Sequence, residues 1–270
     1  AEKVFFDVVL PPIQKLAGLS SSGRFAFEKP EALANLKERY RLDRVISEAR
    51  DDFESAILLM HWVRDQFPHA IPAKNPPSQA FDGYEVLRGK RDGEGFLCGT
   101  ASQLLIQAIT SVGGYARRVE LRFQPADAHA VVEAWSSGHD KWFILDPDYD
   151  IYYTLGDNPQ NAAELHRLWA EKRVAEVTVH DRPSRHNIYH KELEGVDGNG
   201  RFSVKLLSFY NQISYPLRND WASRPLPWWH PEGNHVQNSA VILHPTMPDY
   251  EDFTVRLPSG DELYQTPKSL

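Results

Sequence analysis

Six apolar residues, Ala101, Leu104, Leu105, Ala108, Ile109 and Val112, recur at i, i+3, i+4, i+7, i+8 and i+11. That period is one face of a helix, and such a face has to be covered. Gly113-Gly114 follows, the residue type that closes helices in a left-handed turn. Directly beyond lie three short segments, 115–123, 129–135 and 141–146, rich in β-branched and aromatic residues, with "SSGHD" between the last two. They read as strands, the last two forming a hairpin. Two helices are expected upstream. Pro30 opens one in "PEALANLKERY". The other begins at Asp51 and Asp52, with Phe53, Ala56, Ile57, Met60, Val63 and Phe67 at helical spacing. Residues 68–80 hold four prolines and read as a loop; 161–175 reads as a further helix.

Hydrophobic residues make up 41% of the 270 and charged residues 25%, an ordinary globular balance. The net charge of −7 comes without a basic patch, so nucleic acid is not an expected partner. No apolar run reaches the length of a membrane span. The start of the chain has no signal-peptide pattern. The expected location is therefore either the cytoplasm or, after removal of a signal peptide, outside it. No cofactor and no metal are expected.

Cys98 is the one cysteine of the sequence, so neither a disulfide within the chain nor a cysteine-based zinc site can form. It stands at the start of the long apolar helix. There the unpaired amides of the first turn and the positive end of the helix dipole favour a thiolate. A nucleophile needs a base, and the base needs an orienting group. The hairpin supplies both. With Ser137-Gly138 as a two-residue turn, Glu133 faces Trp142, Val131 faces Ile144, and His129 faces Asp146. Directly opposed side chains start about 4.5–5.5 Å apart on one face, close enough for an imidazole to reach a carboxylate.

The stretches "CGTASQLLIQAITSVGGYARRVEL", "HAVVEAW" and "WFILDPDYD" together resemble the transglutaminase-like superfamily, over about residues 45–150. Cysteine, histidine and aspartate follow one another at gaps of 31 and 17 residues. The resemblance implies an α+β fold with a papain-like core, helices packed on an antiparallel sheet, and N- and C-terminal elaborations. The expected division is a lead-in and helix over 1–50, the catalytic core over 51–155, and a mostly β or irregular addition over 156–270. It also implies a triad: Cys98 as nucleophile, His129 as base, Asp146 as orienter. The expected chemistry is acyl transfer through a Cys98 thioester, most simply hydrolysis of a peptide or other amide-bearing substrate. Transfer to an amine, as in a transglutaminase, is the alternative. A binding module without catalysis on the same scaffold is the alternative of another class. The backbone N–H of Cys98 and the side chain of Gln79 are candidate oxyanion donors.

Three other patterns stand out. Asp146, Asp148 and Asp150 form D-x-D-x-D, the opening of a calcium loop without its glycine and closing glutamate. His186 and His190 are four residues apart but sit in a strand-like segment, which argues for solvated side chains. Residues 180–270 are not needed to assemble the triad. They are expected to shape the wall of the cleft, with "VDGNGR" as a hairpin turn and Trp228 and Trp229 at the rim as candidate substrate contacts.

Overall fold

The computed structural model describes residues 25–69, 82–124, 127–182, 207, 209–216, 218–223, 240–243, 264, 266 and 267. Gln79, Trp228, Trp229, His186, His190 and the "VDGNGR" segment lie outside the described residues.

In chain order, the short strand β1 (Ala26–Phe27) leads through a 3₁₀ turn at Pro30–Leu33 into α1 (Ala34–Tyr40) and α2 (Leu42–Val45). Then come α3 (Asp52–Arg64), α4 (Gly83–Gly89) and α5 (Cys98–Ser111). Four strands follow: β2 (Ala116–Gln124), β3 (Asp127–Ser136), β4 (Lys141–Asp146) and β5 (Ile151–Leu155). After them come β6 (Asn158–Pro159), α6 (Ala162–Ala170), β7 (Thr178–Asp181), β8 (Gln212–Pro216), β9 (Arg218–Asn219) and β10 (Ala240–Leu243). The main sheet has eight strands, in the order β10-β8-β2-β3-β4-β5-β6 with β7 on β5, and every described pairing in it is antiparallel. Helices packed on an antiparallel sheet are the architecture expected from the sequence.

The helix of the six apolar residues is α5, and it is buried all round rather than on one face. Leu104, Leu105, Ile106 and Ala108 share a core with Leu59, Met60 and Val63 of α3 and Val132, Ala134, Phe143 and Leu145 of the sheet. Each fully buried aliphatic side chain of this kind stabilises the fold by about 1.5–3 kcal/mol before entropy is counted. Ser102 and Gln107 of this helix are partnered, Ser102 Oγ donating to Ala130 O at 2.9 Å and Gln107 Nε2 to Asp82 Oδ1 at 3.1 Å, whereas the buried amide of Gln103 has no hydrogen-bond partner among the described residues. Gly113, at φ 95°, ends the helix, and the Gly114 N–H turns back to Ile109 O at 3.0 Å. Asp51 caps α3 by accepting the Glu54 N–H at 2.9 Å.

The opposite face of the sheet carries a second core, with Val119, Leu121, Val131, Ile144, Ile151 and Tyr153 against α6 and the strand residues Ile213 and Tyr215. β8 pairs with β2, so a segment from beyond residue 180 is built into the same sheet as the hairpin.

The hairpin register differs from the expected one. Glu133 faces Ile144, Ala134 faces Phe143, and Trp135 faces Trp142. The connection is the four-residue turn Ser137–Asp140, closed by Asp140 at φ 50° and clamped from α3 by Asp52, which accepts the Ser137 N–H at 2.6 Å. The pairing is shifted by two residues. Because side chains alternate with a period of two, an even shift leaves every residue on its expected face.

Candidate active site

Cys98 opens α5 as its first residue, half-buried, with the Ala101 N–H and Thr100 N–H turned to Leu97 O behind it. The first turn of a long, rigid, buried helix therefore aims the thiol. Leu97, just before it, is 40% exposed, the one large apolar side chain left that open among the described residues. His129 comes from β3 and Asp146 from the end of β4. In the observed register they are diagonal neighbours rather than direct partners, a separation still within reach of long side chains. The imidazole bridges it: His129 Nε2 lies 2.7 Å from Asp146 Oδ2.

That bond commits Nε2 and leaves Nδ1 as the other ring nitrogen. Cys98 is in hydrogen-bonding contact with the His129 ring. Asp146 is held in turn by its own loop. Its Oδ1 accepts the backbone N–H of Asp148 at 3.0 Å and of Tyr149 at 3.2 Å. One carboxylate thus orients the ring with one oxygen and fixes the β4–β5 turn with the other. Burial opposes a charge on His129, but the Asp146 carboxylate and the contact with Cys98 outweigh it and hold the imidazole well above its ordinary 6.5. The ring is packed between Tyr149, centroid to centroid 5.2 Å, and Phe209 at 5.7 Å.

Residues 39–147 match the family model of the transglutaminase-like superfamily. The likeness to that superfamily is shown for this segment, which is less than half of the chain. The match ends one residue past Asp146 and takes in Cys98, His129 and Asp146. Comparison with curated proteins gives no match. Among solved structures, a crystal structure of a candidate cysteine protease from Cytophaga hutchinsonii is similar over 58% of this chain and 50% of its own, at 15% identity and a TM-score of 0.34. The aligned part therefore spans about half the length of that protein.

Around the transglutaminase-like core, the D-x-D-x-D turn does something other than gather round one cation. Each aspartate is turned to a different histidine. Asp146 meets His129, Asp148 meets His69 Nδ1 at 2.6 Å, and Asp150 meets His61 Nδ1 at 2.6 Å. Asp150 also accepts from Arg182 Nε at 3.0 Å. All three carboxylates are buried, and Arg64 lies under them.

Sequence reasoning passed over Asp148, His69, Tyr149 and Phe209. Asp148 was visible only as part of the acidic triplet. His69 lies at the edge of the proline-rich loop, and its place comes from a bridge to Phe96, two residues before Cys98, with Phe96 N–H donating to Pro68 O at 3.0 Å. Phe209 carried no local signal. Arg118 was also passed over: its guanidinium lies over Gly99, where a Cβ would come within 2.9 Å of NH2, so the residue after the cysteine has no room for a side chain unless that arginine moves. A cavity of about 460 Å³ lined by Ala56, Leu59, Ile109, Val112 and Trp135 opens at the far end of α5 from Cys98. Among the described residues no helix is long and apolar enough to cross a membrane.

Proposed function

We propose that this protein is a thiol-dependent hydrolase of amide bonds in a peptide or related substrate, acting through a Cys98 thioester. The observation that carries the reading is the convergence of Cys98 Sγ and a His129 ring nitrogen within 4.8 Å, with the far ring nitrogen held by Asp146 at 2.7 Å. The match of residues 39–147 to the transglutaminase-like superfamily supports thiol chemistry in general.

In this reading His129 Nδ1 takes the thiol proton and Sγ attacks the carbonyl carbon. The oxyanion is met by the backbone N–H of Cys98 at the helix start, where amides point outward unpaired. Collapse of that intermediate breaks the C–N bond, and the imidazolium gives its proton to the leaving amine. Water then enters, loses a proton to His129 and attacks the thioester carbonyl, and the thiol is regenerated as the acid leaves. An amine in place of water would make the same site a transferase. Gln79, Trp228 and Trp229 remain candidates for the second oxyanion donor and for substrate contacts.

The test is mass spectrometry of the full chain with a peptide library, with and without an added primary amine. Hydrolysis releases a free acid and a product unchanged by the amine, whereas transfer incorporates it. Cys98→Ser should abolish turnover with little effect on melting temperature. A serine variant that retained full turnover would remove Cys98 from the mechanism.

A further inference from the structure

Asp148 has no part in the triad, yet one of its carboxylate oxygens, Cys98 Sγ and a His129 ring nitrogen all lie within 4.8 Å of one another. In a tetrahedral zinc site with bonds of about 2.0–2.3 Å, neighbouring donor atoms stand roughly 3.3–3.8 Å apart. Side-chain rotation of about 1 Å therefore closes the set. We propose that Cys98, His129 and Asp148 form a three-ligand site for Zn²⁺, whose occupation switches the thiol off.

Three features argue for a built site rather than a chance meeting. First, the donors are of three kinds, thiolate, imidazole and carboxylate, a set that suits zinc and not the oxygen-seeking calcium or magnesium. Second, two of the three ligands are already oriented from behind. His129 is backed by Asp146 at 2.7 Å, the carboxylate–histidine arrangement that fixes a metal-binding ring. Asp148 is backed by His69 Nδ1, at 2.6 and 2.7 Å from its two oxygens. Third, burial is graded: Asp148 is 2% and His129 6% exposed, while Cys98 is only half-buried. This leaves a fourth position open toward solvent for water.

Binding displaces to solvent the single proton that the thiol and Nδ1 hold between them, as the two atoms take up the cation. No oxidation is involved. The metal occupies the lone pairs that attack and accept a proton in the proposed reaction, so zinc would be a reversible inhibitor and not a cofactor. That consequence rests on the hydrolase reading, whereas the site itself does not.

The experiment uses the full chain, stripped with EDTA, and Co²⁺ as a spectroscopic probe. Expected are a thiolate-to-cobalt charge-transfer band, its loss on adding Zn²⁺, and protection of Cys98 from iodoacetamide by Zn²⁺ that EDTA reverses. Calcium and magnesium should give no protection. Asp148→Asn should need about 10–100-fold more Zn²⁺ for half-protection, with circular dichroism confirming that it folds. If it does not fold, the wild-type spectrum alone decides. A wild type without the cobalt band, or an Asp148→Asn chain that binds as tightly as the wild type, overturns the site. Tight binding with undiminished turnover keeps the site, overturns the switch and counts against Cys98 as nucleophile. A wild type that binds no metal, together with loss of turnover in Cys98→Ser, leaves the hydrolase reading standing and the metal site overturned.

Discussion

Asp146 divides its two oxygens between an imidazole and a backbone turn. Oδ2 faces His129 Nε2, and Oδ1 gathers the amides of Asp148 and Tyr149. Asp146→Asn keeps the size and can keep the turn, but it withdraws the charge that steadies the imidazolium and the acceptor that sets its tautomer. Turnover should fall by about 10³–10⁴-fold, as in hydrolase triads, measured as kcat on whichever amide substrate is found. The same substitution has a pH signature in stability. His129 is raised in the folded chain, so the pair stabilises fully below about pH 6.5, the unfolded histidine value. That contribution fades as pH climbs through the higher folded value. Unfolding free energies of wild type and Asp146→Asn from urea titration should therefore differ by about 1.5–3 kcal/mol near pH 6 and converge at alkaline pH. A gap that widened with pH would contradict the assignment.

Gly83 begins α4, where that helix crosses α5, and a Cβ there would stand 2.6 Å from the backbone N and Cα of Leu104. Backbone cannot step aside as a side chain can. Gly83→Ala should destabilise by about 1–3 kcal/mol through overpacking, read from the denaturation midpoint. The neighbouring caps show what the close crossing secures. Asp82 accepts the Tyr84 and Glu85 N–H groups and also Gln107 Nε2 on α5, while the Tyr84 N–H is shared with Gln107 Oε1. The hairpin turn is the other informative element. "SSGHD" is compatible with a two-residue or a four-residue connection, and the longer one is held both by Asp52 from α3, which accepts the Ser137 N–H, and within the turn, where the His139 N–H donates to Ser136 Oγ at 3.3 Å and the Asp140 N–H to Ser137 O at 3.4 Å.

Glu133 ties distant parts of the chain together beneath the sheet. It accepts from Arg117 Nε at 2.9 Å and Arg117 NH2 at 2.6 Å on β2, from the Ala162 N–H at the start of α6, and from the Tyr215 and Tyr264 hydroxyls. Arg117 is in turn enclosed by rings, its guanidinium carbon 4.2 Å from the Trp142 centroid and 4.7 Å from that of Tyr215. Both charged residues are fully buried. Glu133→Ala takes the carboxylate away from a buried guanidinium and should cost about 3–5 kcal/mol. The double variant Arg117→Met/Glu133→Leu should cost much less, since it removes both charges; equal costs in a urea titration would show that the ion pair is not what matters. Because Tyr215 and Tyr264 share the carboxylate, Glu133→Ala should also loosen the described C-terminal residues, seen as faster amide exchange along β8.

Much of the site was legible from the amino-acid order because its signals are local. The start of α5, the period-two strands and the spacing of Cys98, His129 and Asp146 all depend on propensities and alternation within a few residues. The mistaken hairpin register still put His129 and Asp146 on one face, since an error of two residues does not change parity. What the sequence could not reveal depends on groups far apart in the chain. His69 reaches Asp148 across 79 residues, Phe209 reaches the His129 ring across 80, and Tyr264 reaches Glu133 across 131. Such contacts leave no periodic trace, because each is made by a single side chain whose position is set by the packing of whole elements. The division of the acidic triplet among three histidines is of the same kind: local spacing placed the carboxylates on one turn, and the approach of α3 and the chain before Cys98 chose their partners.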